Sequence, residues 1–305
     1  MSFRLVTYRR ADGAPRAGVV VEDRVHDAAA LTGEPAHATM LGLLDDWTEA
    51  SAHFGTRSWP ATGGQALAGT KLLAPILYPG AIYCAGANYT DHMQEMAQVM
   101  KMPLERDPHE LGIKPWHFLK TSRGSVVGPG EPVRIPAYSQ MLDWEIELAA
   151  VIGRRCRNAS IADALTHVAG YTIANDLSAR DHVKRPQVGD ASPFKWDWVS
   201  QKCFDGACPL GPWIVPAADV GDPQALALKL WVGDELMQDS HTSRMIFPLA
   251  EQIGHLSSRI TLHPGDLVLT GTPAGVGMAR GRFLKAGEQV RLWIERVGEF
   301  STPII

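Results

Sequence analysis

The chain has 305 residues, 29 basic and 33 acidic side chains, a formal charge of −4, and 45% hydrophobic residues. That balance excludes disorder, which needs low hydrophobicity with high net charge. It also argues against a nucleic-acid binder that neutralises phosphates, because no Lys/Arg block is present. The apolar runs fall far short of the roughly 20 residues that span a bilayer, and residues 1–10 contain no signal-peptide core. The expectation is a soluble, cytoplasmic protein with no membrane or nucleic-acid partner. Cys84, Cys156, Cys203 and Cys208 form no CxxC pair, as expected of free thiols in a reducing compartment.

In chain order, residues 3–9 and 17–21 read as strands around the turn Asp12-Gly13, with a third strand over 24–27. Leu41, Leu44, Trp47 and Ala50 are at helical spacing and predict a helix over 38–53. Residues 58–69, rich in Pro, Gly, Thr and Ser, read as a connector. A small N-terminal α+β domain over 1–70 and a larger domain over 71–305 follow from this change of texture. Beyond it, strands are expected at 81–85, 133–135, 145–152, 171–174, 227–231 and 267–270, with short helices at 161–168 and 246–256. Gly233-Asp234 and Val297-Gly298 mark two hairpins. Strands outnumber helices and do not alternate with them, which predicts a β-rich α+β fold and not a Rossmann fold.

The strongest chemical signal is Asp143-Trp144-Glu145-Ile146-Glu147-Leu148. In a strand Glu145 and Glu147 share one face, and the apolar run after them predicts burial on both faces. Adjacent buried carboxylates repel and lose hydration, and a divalent cation relieves both effects. An exposed edge strand is the plainer alternative. A β-branched strand delivers Asp176, as a further oxygen ligand suited to Mg²⁺, Mn²⁺ or Ca²⁺, or as a helix N-cap. His92 and Glu95, at i and i+3, come together on one helical turn, an arrangement for activating water, although a surface pair fits equally. Residues 269–277 are rich in glycine and offer backbone amides for a carboxylate or phosphate, but lack a P-loop lysine and a following helix. Lys202 is a candidate cation for an enolate, with a snorkelling surface lysine as the commoner case.

Together these segments resemble the fumarylacetoacetate hydrolase family. The matches run from about residue 73 to the C-terminus: Cys84-Ala85-Gly86-Ala87-Asn88-Tyr89 with His92 and Glu95; Phe118-Leu119-Lys120; Asp143 to Leu148; Asn175-Asp176 with Ser178-Ala179-Arg180-Asp181; Lys202; Pro209-Leu210-Gly211-Pro212; and Thr270-Gly271-Thr272-Pro273. The resemblance implies a mixed β-sandwich roll, usually homodimeric, and Mg²⁺ or Mn²⁺ held by Glu145, Glu147 and Asp176. It further implies a catalytic Lys202, a water-activating His92–Glu95 dyad on a lid, and substrate contacts from Tyr89, Lys120, Arg180 and Thr272. Two departures stand out: Val183 occupies a position commonly held by Gln, and the stretch between His92 and Lys120 is long.

The implied reaction is hydrolysis of a carbon–carbon bond in a 2,4-dioxo acid of the acylpyruvate type, giving pyruvate and a carboxylic acid. Fumarylpyruvate-like compounds and sugar-derived diketo acids fit the same metal end. Oxaloacetate-type decarboxylation or tautomerisation, or dienoate isomerisation or hydration, is the alternative within the family. A metal-dependent binding protein without turnover is the alternative from another class.

Overall fold

The computed structural model describes residues 2–305 except 57–58, 60–62 and 105. Residues 58 and 60–62 of the expected connector lie outside the described residues, and Gln65–Ala66 within it forms a short strand against Arg24–Asp27. The N-terminal strands Arg4–Arg9 and Pro15–Val21 pair antiparallel across the Asp12-Gly13 turn, where Gly13 supplies a φ of 85°.

The helix expected over 38–53 is instead three pieces: a 3₁₀ turn at Pro35–Ala38, then Met40–Asp45 and Trp47–Thr56. Thr39 starts the second piece by accepting a hydrogen bond from the Gly42 amide. Asp46 ends it and lies 3.2 Å from the His37 ring. The apolar spacing nevertheless picked the inward face, since Leu44, Trp47 and Ala50 are buried and Leu41 is partly buried against the same core.

A large mixed sheet runs from Gln65–Ala66 through Arg24–Asp27, Pro15–Val21, Arg4–Arg9, Cys208–Pro216, Val168–Asn175, Ile146–Ile152, Leu267–Leu269 and Ile82–Ala85 to His117–Lys120. Its path is antiparallel except between Leu267–Leu269 and Ile82–Ala85. The first strand of the chain therefore joins the main sheet directly, with Leu5 opposite Ile214. A second, antiparallel sheet contains Glu235–His241, Ala227–Val232, Gln289–Ile294 and Gly298–Pro303. Both expected hairpins are present in it, pairing Val232 with Glu235 and Ile294 with Gly298.

The Ile146–Ile152 strand shows how the layers form. Every residue in it is buried. Ile146, Leu148, Ala150 and Ile152 enter a core shared with Leu228, Leu230, Leu292 and Phe300 of the second sheet. Ala149 and Val151 enter another core, shared with Leu43, Leu44, Trp47 and Phe54 of the N-terminal helices. The strand is apolar on both faces because a layer covers each. The molecule is thus a β-rich α+β sandwich roll.

Three other expectations are modified. Val133 makes only an isolated bridge to Ile304, and the expected 161–168 helix is reduced to a 3₁₀ turn at Ala164–His167. The helix expected over 246–256 is Leu249–Arg259, because Pro248 fixes its start. All four cysteines are free thiols. Among the described residues, no helix is long and apolar enough to cross a membrane.

Candidate metal and active site

The site sits where the central strands end. Glu145 immediately precedes the Ile146–Ile152 strand and Glu147 is its second residue, and Val168–Asn175 delivers Asp176 beside them, with the Asp176 amide donating to the Glu145 carbonyl at 2.8 Å. All three acids are buried, and each offers a carboxylate oxygen within 4.8 Å of the others. Burial on the sheet thus replaces the exposed-edge alternative for Glu145 and Glu147.

Three cations surround this cluster. Lys202 lies at the end of the Trp198–Lys202 helix, whose start is capped by Asp197 accepting from the Ser200 amide. Its ammonium donates to Glu145 Oε2 at 2.9 Å and to Asp176 Oδ2 at 2.7 Å, and lies 4.8 Å over the Phe118 ring. Arg180 bridges Asp143 Oδ2, at 2.8 Å, and Glu145 Oε1. Lys120, with a side chain 0% exposed, lies 2.7 Å from Asp176 Oδ1 and donates to the carbonyls of Leu177 and Lys202. That ammonium therefore supports the cluster from behind the cavity wall.

The electrostatics follow from this packing. Burial works to raise the Glu145 carboxyl, but Lys202 and Arg180 outweigh it and hold the group well below the usual range. Burial opposes the charge on Lys202 as well, yet Asp176 and Glu145 keep it firmly protonated. Glu147 differs. Burial, then Asp176 and Glu145, push its carboxyl well above the usual range. Among the described residues no Lys or Arg forms an ion pair with it; its Oε2 accepts only from the Gly271 amide, at 2.6 Å. Asp143, Glu145, Glu147 and Asp176 set four carboxylates against three cations. A hard divalent cation fits this oxygen set and its unbalanced charge.

His92, Glu145, Arg180, Lys202 and Thr272 line one cavity of about 130 Å³, together with Gln201 and the rings of Trp116, Phe118 and Trp198. His92 comes from the Thr90–Met100 helix, and burial lowers its pKa, so its imidazole is neutral at neutral pH. Its Nδ1 is buried without a hydrogen-bond partner and lies 4.0 Å from Glu95 Oε2. Glu95 instead accepts from the Gly275 amide through both oxygens, at 3.0 and 2.9 Å. The pair is adjacent, as the spacing predicts, but not hydrogen bonded. The Thr272 hydroxyl is committed, donating to the Ile146 carbonyl and accepting from Gln238, both at 2.9 Å. Tyr89 is fully buried and, like Lys120, is not among the cavity's lining residues.

Sequence reading missed several residues. Asp143 binds Arg180 and caps the one-turn helix Gly277–Arg280, accepting from the Gly277 and Met278 amides at 2.6 and 3.0 Å. That helix follows the glycine-rich loop, where none was expected. The loop does hold carboxylates, but they are the chain's own: Glu147 on Gly271, Glu95 on Gly275 and Asp143 on Gly277. Gln238 anchors Thr272, and Gln201 presents a buried, unpartnered Oε1 at the cavity. Only the position of Gln201 beside Lys202 could have drawn attention to it.

The family described as Fumarylacetoacetate (FAA) hydrolase C-terminal matches residues 81–305. The chain is 36% identical to oxaloacetate tautomerase fahd2, mitochondrial, of Xenopus laevis, over 100% of this chain and 91% of that protein. Among solved structures, maleylpyruvate hydrolase from Sphingobium sp. SYK-6 in complex with manganese (II) ion and pyruvate is 30% identical. It covers 99% of this chain and 98% of its own, with a TM-score of 0.76. The 2-hydroxyhepta-2,4-diene-1,7-dioate isomerase from Mycobacterium marinum is 32% identical over 100% and 98% of the two chains, with a TM-score of 0.71. These relatives are named as enzymes with different activities on small oxo or enol acids. The family match, the full-length identity and the shared fold have one conclusion: the chain belongs to the fumarylacetoacetate hydrolase family.

Proposed function

We propose that the protein is a divalent-metal-dependent hydrolase that cleaves a carbon–carbon bond in a 2,4-dioxo acid, yielding pyruvate and a carboxylic acid. The observation that carries this reading is one cavity lined by the His92 imidazole together with Glu145, Lys202 and Arg180, the Glu145 carboxylate being hydrogen bonded to both cations. Glu145, Glu147 and Asp176 would hold Mg²⁺ or Mn²⁺, with Ca²⁺ as a further possibility for the same oxygens; the ion supplies Lewis-acid stabilisation of an enolate. His92, oriented by Glu95, takes a proton from water. The hydroxide adds to the distal carbonyl, and the bond between C3 and that carbonyl breaks, leaving its electron pair on the pyruvate enolate. Lys202 stabilises this charge, and a proton returned to C3 completes pyruvate. Arg180 orients the acid end, and Thr272, its hydroxyl bonded within the chain, shapes the substrate wall beside it. Tyr89 and Lys120 act from behind it, Lys120 by holding Asp176.

Keto–enol tautomerisation of an oxaloacetate-type acid is the second reading. The unclosed His92–Glu95 pair favours it, as does the name of the Xenopus relative. An assay of Mn²⁺-loaded protein decides between them. Release of pyruvate from acylpyruvates, abolished by a chelator and restored by Mn²⁺ or Mg²⁺, is the expected result. Absence of cleavage together with rapid loss of enol-oxaloacetate absorbance overturns it.

In this proposal residues 71–305 are the catalytic domain and residues 1–70 a leading domain joined to it through the sheet. The same proposal places the enzyme in the cytoplasm as a homodimer, which fractionation and sedimentation test.

A further inference from the structure

We infer that a second cavity, outside the metal-side pocket, receives the acyl end of the substrate, and that this end is a bulky apolar group, aromatic or branched. The inference rests on the hydrolase reading above. The inner cavity, about 130 Å³, is below the roughly 300–1,000 Å³ typical of pockets that enclose a whole ligand. It suits the three-carbon oxo-acid end alone. The outer cavity, about 560 Å³, falls within that range, and the two share Gly86, Ala87 and Trp116 in their walls.

The wall between them is set by the backbone. A Cβ at Gly86 would lie 1.5 Å from a ring carbon of Trp116, so the indole lies directly on the bare backbone there. Any side chain at residue 86 would displace the ring that separates the two spaces.

The outer wall is mostly apolar, with Met93, Leu104, Ile113, Met245 and Phe247 around Trp116. Leu104, Ile113 and Trp116 are 55%, 51% and 46% exposed. Apolar surface left in water beside a reacting centre gains most from an apolar ligand group. Two of the wall's charged groups are already paired: Arg106 with Glu110 at 3.2 Å, and His109 with Asp107 and Glu251 at 3.0 and 3.1 Å. Lys114 is the wall cation for which the described residues provide no ion pair. A substrate with a distal carboxylate seated on Lys114 is the competing occupant.

The test compares acetylpyruvate, benzoylpyruvate and fumarylpyruvate as substrates of the full-length, Mn²⁺-loaded enzyme and of its Ile113→Trp and Lys114→Ala variants. The inference expects benzoylpyruvate to exceed acetylpyruvate in kcat/KM by about tenfold or more. Ile113→Trp, which fills the outer cavity from its rim, should remove that advantage while leaving acetylpyruvate within about twofold. Lys114→Ala should leave all three within about twofold. Equal rates for small and bulky acyl groups overturn it, as does an equal effect of Ile113→Trp on both. A preference for fumarylpyruvate lost in Lys114→Ala assigns the cavity to a distal carboxylate instead. If none of the three is cleaved, the hydrolase reading fails separately. Calorimetric binding then judges the cavity by the same criterion: benzoylpyruvate must bind about tenfold more tightly than acetylpyruvate in wild type but not in Ile113→Trp.

Discussion

The two ends of the site are held in opposite ways. At the inner end Lys120 and Asp176 have side chains 0% exposed, and each cation of the cluster contacts a carboxylate. At the outer end the Thr90–Met100 helix has no buried residue and is held by a few polar contacts: Glu95 on the Gly275 amide, Asp91 accepting from the Ser240 hydroxyl at 2.6 Å, and the Thr90 hydroxyl donating to the Arg244 carbonyl at 3.3 Å. Buried ionic clusters tolerate no loss of a partner, whereas a helix held by a few polar contacts opens at low free energy. The site therefore combines a buried ionic cluster at one end with His92, carried by a lightly anchored helix, at the other.

The sharpest way to break that contrast is Lys202→Met. Removing the ammonium strands Glu145 and Asp176 in a buried setting, so stability should fall by about 3–5 kcal/mol, with kcat lower by about 10²–10³-fold. Urea denaturation and steady-state kinetics measure the two. Added Mn²⁺ should recover part of the lost stability, and a variant as stable as wild type without metal would show that the cluster is not charge-coupled.

His92→Ala should separate the ends. The Nδ1 of His92 has no partner to strand, so the melting temperature should barely change while kcat falls by about 10²–10⁴-fold. Glu95→Gln should lower kcat less, because it leaves the imidazole in place. Equal loss of stability in both variants would count against a mobile outer end.

Acid provides a third probe. His117, on the edge strand, stacks with His255 of the Leu249–Arg259 helix, and burial, then His255, lower its pKa to about 4. The fold therefore favours the neutral ring. Its contribution is complete above the unfolded value of roughly 6.5, shrinks as pH falls toward 4, and then levels off. The loss should be on the order of 2 kcal/mol. His117→Gln should flatten that part of the stability–pH curve. The smallest effect belongs to Arg106→Ala, which breaks an exposed i,i+4 pair and should alter stability by less than about 0.5 kcal/mol.

The inner end was the more legible of the two. Alternation placed Glu145 and Glu147 on one face, and the β-branched run before Asp176 brought it to them, because strand geometry is set by local pattern. The strand Cys208–Pro216 was not legible, since Pro209, Gly211 and Pro212 read as breakers. The sheet accommodates them where its pairing with Val168–Asn175 shifts register between Tyr171 and Ile173. The helical spacing over 38–53 gave the right face but not the breaks, which depend on Thr39 and Asp46 finding local partners. Lys120 and Tyr89 carried motif positions, yet their distance behind the wall is a matter of tertiary packing that spacing does not encode. Gln238 and Asp143 act through partners more than ninety residues away in the chain, Ile146 for the first and Gly277 for the second.

The loop from Thr270 to Gly277 has one further consequence. Its amides grip Glu147 from the central strand, Asp143 beside it, and Glu95 from the outer helix. Gly275 can serve there only without a side chain, since a Cβ would lie 2.0 Å from the Met237 carbonyl and its φ is +99°. One short stretch of backbone therefore ties the outer helix to the central strand. The Gly275 amide that holds Glu95 is only four residues from the Gly271 amide that holds Glu147, so a substitution that disturbs one contact bears on the other.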